Sequence, residues 1–325
     1  MHRLRRRRPS TAFRSLTPLI ATVLLLAACD DDDAPTAPGD DANLAVRDTV
    51  LTRPWSEGDL SAMTYDADHD ALFLLQDVHA ADNVIHRWNF GETGLSEVYR
   101  YESQHDYGMR WFDGELWIAR TYDQAVLRLD NLAAPSLGVV VDHDHDGNPL
   151  AIEIGDMARL GSDVVYVACN TLTSDQPDGV QVLRAPAFDD PEVLVSERQL
   201  GWPILQSALW RSVVVVGDST DARIVATTGP ADGDLVVFDT QGRESFRAPG
   251  FGKSYLQTDS QGRVYATGED RIVRWSSDFS EREDFEYELP SWLRFVLRET
   301  SRHVEFVYGE FRSEEPTIGR IRLPR

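Results

Sequence analysis

The sequence predicts an all-β fold, a six-bladed β-propeller, on the basis of three observations. Short apolar strands recur throughout residues 44–325, their spacing is nearly constant, and one strand at the start of this region lacks a partner. The starts of the aligned strands are separated by 40 to 51 residues, a period typical of propeller blades. Aligned as the second strand of each blade, they are Leu72–Leu75, Leu116–Ala119, Val164–Ala168, Val213–Val216, Val264–Thr267 and Val304–Val307.

Each repeat contains further strand patterns around the aligned one. An Asp/Gly turn precedes most of the aligned strands, which suits a hairpin with an innermost strand. A third strand follows in all six repeats, and a fourth, outer strand follows in five. The sixth repeat ends at Arg325 without an outer strand, whereas Val46–Leu51 precedes the first repeat without a partner. We therefore expect this N-terminal strand to complete blade six and close the ring.

Composition limits the function classes. The chain has 54 acidic and 32 basic residues, a formal net charge of −22, so nucleic acid is excluded as a partner by charge repulsion. Hydrophobic residues make up 42% of the chain, enough for a folded core. We expect a monomer.

The N-terminus has the pattern of a secretion signal. Residues 1–28 contain six arginines and no acid, and the apolar run Leu16–Leu26 has the length of a signal-peptide core. Without this leader, 26 basic residues face 54 acidic ones, a net charge of −28. Residues 29–43 consist mainly of Asp, Ala and Pro with one Gly and nothing large and apolar, which predicts a disordered tether before a propeller of residues 44–325.

The end of the leader, Leu26-Ala27-Ala28-Cys29, resembles the lipobox of bacterial lipoproteins. That resemblance implies a lipid on Cys29 and a membrane-anchored protein of the cell envelope, on the periplasmic side of the inner or outer membrane. Asp30 resembles an inner-membrane retention signal. An ordinary signal with a chance cysteine beside it is the alternative. The second cysteine, Cys169, lies in an apolar strand pattern and is interpreted as a buried, inert thiol.

The sharpest motif matches D-x-D-x-D-G-x5-E, the oxygen-rich pattern of a calcium-binding loop, and lies between blades two and three. The residues that it nominates as ligands are Asp142, Asp144, Asp146, Asn148 and Glu153. A solvated acidic turn is the alternative, because acidic chains produce such strings by chance.

The loops between second and third strands and the links between blades emerge on one face, the predicted ligand face. Its mixture of aromatic, acidic and other polar side chains suits a carbohydrate, a peptide, a cation or an envelope protein. The candidates on it are Trp55, Glu57, Asp77, His79, His105, Asp106, Arg120, Tyr122, Asp123, Asn170, Trp202, Asp218, Phe251, Lys253, Trp292 and Glu310.

The stretch Glu57–Asp66 (EGDLSAMTYD), with LFLLQD and IHRW after it, resembles blade one of the SMP-30/gluconolactonase propellers and also NHL-type and SdiA-regulated propellers. The lactonase resemblance implies a divalent metal in the central channel, with Glu57 as its first ligand. Asp106 is the other catalytic candidate, from a segment similar to the D-G-M of that family. Two functions follow from the sequence, a lipid-anchored binding propeller and, as the alternative, a metal-dependent lactonase or related hydrolase.

Overall fold

Six four-stranded antiparallel sheets form the described part of the chain. The computed structural model describes residues 47–325 except 53, 79–81, 104–105, 121–124, 144–151, 171–178, 189–190, 201–211, 219, 229–232, 269, 291–292 and 311–315. The leader, the tether with Cys29, and the side chain of Cys169 therefore lie outside the described residues. No helix within that described part has the length and apolar character needed to cross a membrane.

Five blades are built from four consecutive strands each, in the order inner to outer. Blade one contains β2 (Asp59–Asp66), β3 (Ala71–Val78), β4 (Asp82–Asn89) and β5 (Ser96–Glu102). Blade two contains β6 (Asp106–Phe112), β7 (Glu115–Arg120), β8 (Ala125–Asp130) and β9 (Ser136–Val141). Blade three contains β10 (Ile152–Leu160), β11 (Asp163–Asn170), β12 (Gly179–Leu183) and β13 (Glu192–Ser196), and the helix α1 (Glu197–Leu200) follows it.

The remaining blades repeat this arrangement. Blade four contains β14 (Val213–Val216), β15 (Arg223–Thr227), β16 (Asp234–Asp239) and β17 (Glu244–Pro249). Blade five contains β18 (Leu256–Thr258), β19 (Val264–Thr267), β20 (Arg271–Trp275) and β21 (Arg282–Glu286). Blade six contains β22 (Leu293–Glu299), β23 (His303–Glu310), β24 (Thr317–Pro324) and, from the other end of the described chain, β1 (Arg47–Thr52).

The predicted ring closure is confirmed. Strand β1 pairs antiparallel with β24, with Arg47 opposite Ile321 and Thr52 opposite Thr317. The innermost strands of neighbouring blades contact one another around the ring, including β22 of blade six with β2 of blade one. Pairing β1 with β24 gives blade six four strands like the other blades, and backbone hydrogen bonds hold the two ends of the ring together.

The hydrophobic core lies between blades and not within any one of them. Each of six apolar clusters combines residues from two successive blades, and the last joins blade six to blade one through Leu60, Val307 and Ile318. The first and second strands of a blade are accordingly buried, as in β3, whereas outer strands such as β5 are largely exposed. A sheet that is covered on both faces reads as a continuous apolar run, which is why the inner strands were recognisable in the sequence.

Two turn conformations explain glycines in the sequence pattern. Asp113 and Gly114 join β6 to β7 with φ of 51° and 90°, the positive values that a tight hairpin between twisted strands requires. Gly58, in the link before β2, has φ of 81°, and a Cβ there would lie 2.4 Å from the carbonyl oxygen of Asp77. Only glycine therefore fits this position, so the Glu57-Gly58 pair has a structural cause.

The assignment of Val213–Val216 as a second strand is wrong. This segment is β14, the innermost strand of blade four, and the second strand is β15, Arg223–Thr227. The link that precedes β14 runs over residues 197–212, whereas the link between β5 and β6 is only 103–105. The longer link moved β14 to the position that a constant period assigns to a second strand, and two short apolar strands cannot be ranked by hydrophobicity alone.

The ring has two ends. The link face carries the links between blades and the loops between second and third strands, and the turn face carries the other two sets of hairpin turns. Each innermost strand runs from the link face to the turn face. Asp218 lies between β14 and β15, on the turn face, so its predicted place on the link face is wrong.

Candidate functional site

A buried ion pair lies in the central channel. The guanidinium of Arg110, on β6, donates from Nε and Nη2 to the two carboxylate oxygens of Asp156, on β10, at 2.9 and 2.6 Å. The Arg110 side chain is 8% exposed and that of Asp156 is fully buried. A bidentate pair of this kind fixes both groups in orientation as well as distance, so it joins the inner strands of blades two and three.

The Asp156 carboxylate also holds blade four. The hydroxyl of Ser212 donates to Oδ2 at 2.5 Å, the amide of Val213 donates to Oδ2 at 3.2 Å, and the amide of Met157 donates to Oδ1 at 2.9 Å. Ser212 Oγ in turn accepts the amide of Leu256 at 3.0 Å, which extends the network to blade five. Asp156 therefore accepts five hydrogen bonds, and its oxygens are committed to the protein itself.

A second guanidinium lies in the same region. Arg294, at the start of β22, and Arg110 each lie 4.8 Å from the ring centroid of Tyr255. Burial lowers the pKa of Arg294 and raises the pKa of Tyr255 to about 12. Burial also opposes the charge of Arg110, but the Asp156 carboxylate outweighs it and raises that pKa. This cluster places two guanidiniums close to one aromatic ring.

The Arg110–Asp156 cluster does not fit a divalent metal. A cation needs oxygens with free lone pairs, whereas Asp156 is saturated with donors and stands beside two guanidiniums. Glu57, the metal ligand implied by the lactonase resemblance, is exposed on the link face. Among the residues that the structure describes, no three His, Cys, Asp or Glu side chains are grouped so as to hold a metal ion.

Asp106, the second catalytic candidate, is a fully buried clamp between blades one and two. Its Oδ2 accepts the Asn83 amide at 3.0 Å and the Tyr101 hydroxyl at 2.8 Å, and its Oδ1 accepts the Ser103 hydroxyl at 3.0 Å. Burial raises its pKa to about 6, against the opposing hydrogen bonds from these donors. Arg120 approaches to 3.8 Å and donates to Ser103 at 2.9 Å. The carboxylate has a structural role in this geometry.

The link before β2 forms a polar platform. The Trp55 indole donates to the Gly58 carbonyl at 3.0 Å and stacks on His86 with a centroid separation of 5.3 Å. His86 contacts Gln76 at 2.6 Å, and Gln76 donates to the Glu57 carbonyl at 2.5 Å. The Glu57 backbone is thus anchored while its side chain projects outward, apart from the buried Asp106. The two catalytic candidates do not form one carboxylate cluster.

The other predicted link-face residues divide into two sets. Phe251 is buried and packs edge-on against Trp275 at 5.0 Å, so it belongs to the core, whereas Lys253 and Glu310 are exposed and Asp77 is buried. The remaining candidates, or their side chains, lie outside the described residues: His79, His105, Tyr122, Asp123, Asn170, Trp202 and Trp292. A ligand face made of these side chains stays a prediction.

The predicted calcium loop lies in the link between β9 and β10. Asp142 directly follows β9 and contacts His143, and Glu153 is the second residue of β10. Asp144, Asp146 and Asn148 lie outside the described residues. The calcium site is thus untested; the segment that carries the motif joins two strands, β9 and β10.

Sequence reasoning missed the channel network. Arg110, Asp156 and Ser212 are separated by 46 and 56 positions, so no local motif contains them. A signal was present nevertheless, since Arg110, Asp156 and Arg294 are charged residues inside apolar inner strands. A charged group in such a strand requires a buried partner.

No family model and no curated protein matches this chain. Several solved structures share its fold. A gluconolactonase from Xanthomonas campestris aligns with a TM-score of 0.61 at 10% identity, over 87% of this chain and 91% of that one. A luciferin-regenerating enzyme gives 0.56 at 10% identity, over 85% and 95%. Virginiamycin B lyase from Staphylococcus aureus gives 0.51 at 11% identity, over 86% and 99%. At these identities the likeness shows the six-bladed propeller fold alone.

Proposed function

We propose that this protein is a lipid-anchored envelope protein whose propeller binds a ligand or partner protein. The observation that supports binding over catalysis is the Arg110–Asp156–Ser212 network, which occupies the channel centre with donors that satisfy its one carboxylate. A channel built in this way ties four blades together and leaves recognition to the loops and channel mouths.

The position of β1 supports an anchor on one side of the propeller. Arg47 begins β1 opposite Ile321, near the turn-face end of β24, so the preceding chain joins the ring at the turn face. A lipid on Cys29 would be connected to this end by 18 residue steps, a reach of at most about 60 Å. Under this proposal the anchor is attached at the turn-face end of β1, at the opposite end of that strand from the link face.

The alternative, a metal-dependent lactonase, is supported by the blade-one sequence resemblance and by the fold likeness. The two carboxylates nominated for it differ in environment, since Glu57 is exposed and Asp106 is buried under three donors.

Replacing the proposed lipid-bearing cysteine tests the anchor. With Cys29→Ala, the full chain is expected to move from the membrane fraction to the soluble fraction, because the thiol that would carry the lipid is lost. Fractionation followed by immunoblotting measures this, with Cys169→Ala as the matched control that should stay with the membrane. Unchanged fractionation of Cys29→Ala contradicts the anchor.

A thermal-shift screen tests binding and calcium together. The full chain is screened against calcium, other divalent metals, sugars, peptides and lactones. We propose that calcium occupies the loop from Asp142 to Glu153, so calcium should raise the melting temperature and EDTA should reverse the increase. Glu153→Ala should remove the response, whereas Glu286→Ala, an exposed residue of β21, should keep it. A wild-type protein with no response contradicts the calcium site.

A further inference from the structure

The central channel opens on the turn face into a cavity of about 410 Å³. All six inner strands line it, represented by Thr64, Arg110, Met157, Val214, Gln257 and Val296. The lining comes mainly from the later part of each strand, beyond the Arg110–Asp156 pair as seen from the link face. Its volume is within the usual range of small-molecule sites, about 300–1,000 Å³. This cavity is a separate location from the predicted ligand face, at the opposite mouth of the channel.

Arg110 supplies the charge at the base of this cavity. Its Nε and Nη2 atoms are held by Asp156, and Nη2 also donates to the carbonyl of Leu256 at 3.2 Å. The third nitrogen, Nη1, donates to no group among the described residues, and the side chain that carries it is more than nine-tenths buried. A fixed guanidinium with one nitrogen left for a ligand is a directional donor to an oxyanion.

The surroundings of Arg110 favour an anion over a cation. Arg294 contributes a second guanidinium at the same 4.8 Å distance from the Tyr255 ring, and Asp156 already directs both oxygens to donors. Low local polarizability strengthens such charge interactions relative to water. A carboxylate that approaches Arg110 Nη1 therefore meets a directed donor on a largely buried side chain, and the other charged groups that line the cavity are Arg159 and Glu299, one of each sign.

The cavity wall offers hydrogen bonds beyond this charge. The Thr258 hydroxyl and the Gln257 side-chain oxygen have no hydrogen-bond partner within the described set of residues, while Gln257 Nε2 donates to the Phe295 carbonyl at 3.0 Å. Thr64 Oγ1 accepts the Trp111 amide at 3.0 Å, which leaves its own proton to donate. Each inner strand also pairs along one edge only, so its other edge presents backbone groups to the channel.

We propose that the turn-face cavity binds a small hydroxylated carboxylate. The carboxylate accepts from Arg110 Nη1, and the hydroxyl groups bond to Thr258, Gln257 and the free strand edges. The proposal concerns a site separate from the link face and requires neither calcium nor the lipid anchor. It therefore stands if those proposals fail, and its own failure leaves them intact.

Isothermal titration of the full chain with L-tartrate and quinate tests the site, with tartramide as the uncharged counterpart. The blocking variant is Ala67→Trp, because Ala67 is an exposed turn residue that lines the mouth and supports no core contact. Its matched control is Ala133→Trp, an exposed turn residue between β8 and β9 that does not line the cavity. Thr258→Val removes one wall hydroxyl at nearly constant volume. None of these variants alters the Arg110–Asp156 pair. We therefore expect all of them to fold, so that a change in affinity reports on binding.

At least one carboxylate is expected to bind, and tartramide is expected to bind at least tenfold more weakly. Ala67→Trp should weaken carboxylate binding tenfold or more, and Thr258→Val by about three- to tenfold, the effect of one hydrogen bond. Ala133→Trp should bind as the wild type does. The proposal is overturned if neither carboxylate binds, if tartramide binds equally well, or if Ala67→Trp leaves affinity unchanged.

Discussion

Two arginine–carboxylate networks of similar chemistry differ in redundancy and burial. At the seam between blades six and one, Glu305 accepts from Arg298 at 2.7 Å and from Arg320 at 3.1 Å. Arg298 also binds both oxygens of Asp70 at 2.6 Å, and Arg320 binds Asp48 of β1 at 3.0 Å. In the channel, Asp156 is the carboxylate that neutralises Arg110. The seam arginines are 21% and 19% exposed, against 8% for Arg110.

The two networks differ in how they respond to the loss of one charged partner. Each seam arginine has a second carboxylate and some contact with water, so the loss of one partner is shared. Arg110 pairs with one carboxylate within the described part of the chain, and without it the buried guanidinium would be left desolvated. The seam therefore tolerates the loss of one carboxylate. The channel pair does not tolerate the loss of Asp156.

The largest expected effect is at the channel. Asp156→Asn should lower the free energy of unfolding by about 3–5 kcal/mol, the usual cost of breaking a buried ion pair by removing one partner. Urea denaturation followed by circular dichroism measures it. Asp239→Asn is the control, since Asp239 forms an exposed turn and pairs with Arg243 on the surface, and it should unfold near the wild-type midpoint. A loss below about 1 kcal/mol for Asp156→Asn would show that the channel pair tolerates change as the seam does.

The clamp at Asp106 should give a pH dependence of intermediate size. Its folded pKa of about 6 exceeds the ordinary value of about 3.9, so between these values the folded state binds more protons than the unfolded state. Stability from this group is present below about pH 4 and is lost as pH rises through about 6, by about 3 kcal/mol in total. Asp106→Asn cannot ionise and lacks this dependence.

Unfolding free energies of the wild type and Asp106→Asn at pH 4, 5, 6 and 7 test the prediction. The wild type should lose stability relative to the variant over this interval. Parallel pH curves for the two proteins would contradict an elevated pKa at the clamp.

The seam should give the smallest effect, with the opposite pH sign. Burial alone would raise the pKa of Glu305, but bonds from Arg298 and His303 and the charge of Arg320 lower it below its ordinary value. Its stabilisation is therefore present above the ordinary Glu pKa and is lost as pH falls through the folded pKa. Glu305→Gln should cost about 1–2 kcal/mol at pH 7, because Arg298 keeps Asp70 and Arg320 keeps Asp48.

Salt distinguishes the two networks. Raising NaCl from 0.05 to 0.5 M should reduce the Glu305→Gln effect, since partly exposed charges are screened, and should leave the Asp156→Asn effect nearly unchanged. The comparison fails if both variants respond equally to salt in denaturation experiments.

The fold could be predicted from the sequence where the strands repeat. The environment of the site residues could not, because it depends on residues that are distant in sequence. The apolar runs and the spare N-terminal strand predicted six blades and the β1–β24 closure, because inner strands are covered on both faces. The long link before β14 broke the period, so a constant spacing placed Val213–Val216 one strand too far out. Asp106 was nominated as catalytic from a local motif, but its burial depends on Asn83 and Tyr101 of another blade.

The channel network was beyond local motif reasoning, because Arg110, Asp156 and Ser212 meet only after three blades have assembled. The turn-face cavity is a property of the closed ring in the same way, since all six inner strands line it. The burial of a side chain and its hydrogen-bond partners depend on the tertiary structure, whereas a motif contains only residues that are close in sequence.

The most direct measurement is lactone hydrolysis by the full chain with excess calcium, manganese, magnesium or zinc, compared with Asp156→Asn. The arrangement of Arg110 and Asp156 as a structural pair predicts no rate above that of metal and buffer alone, in either protein. A metal-dependent rate in the wild type that disappears in folded Asp156→Asn would contradict it, because it would make this carboxylate a metal ligand and the channel a catalytic centre.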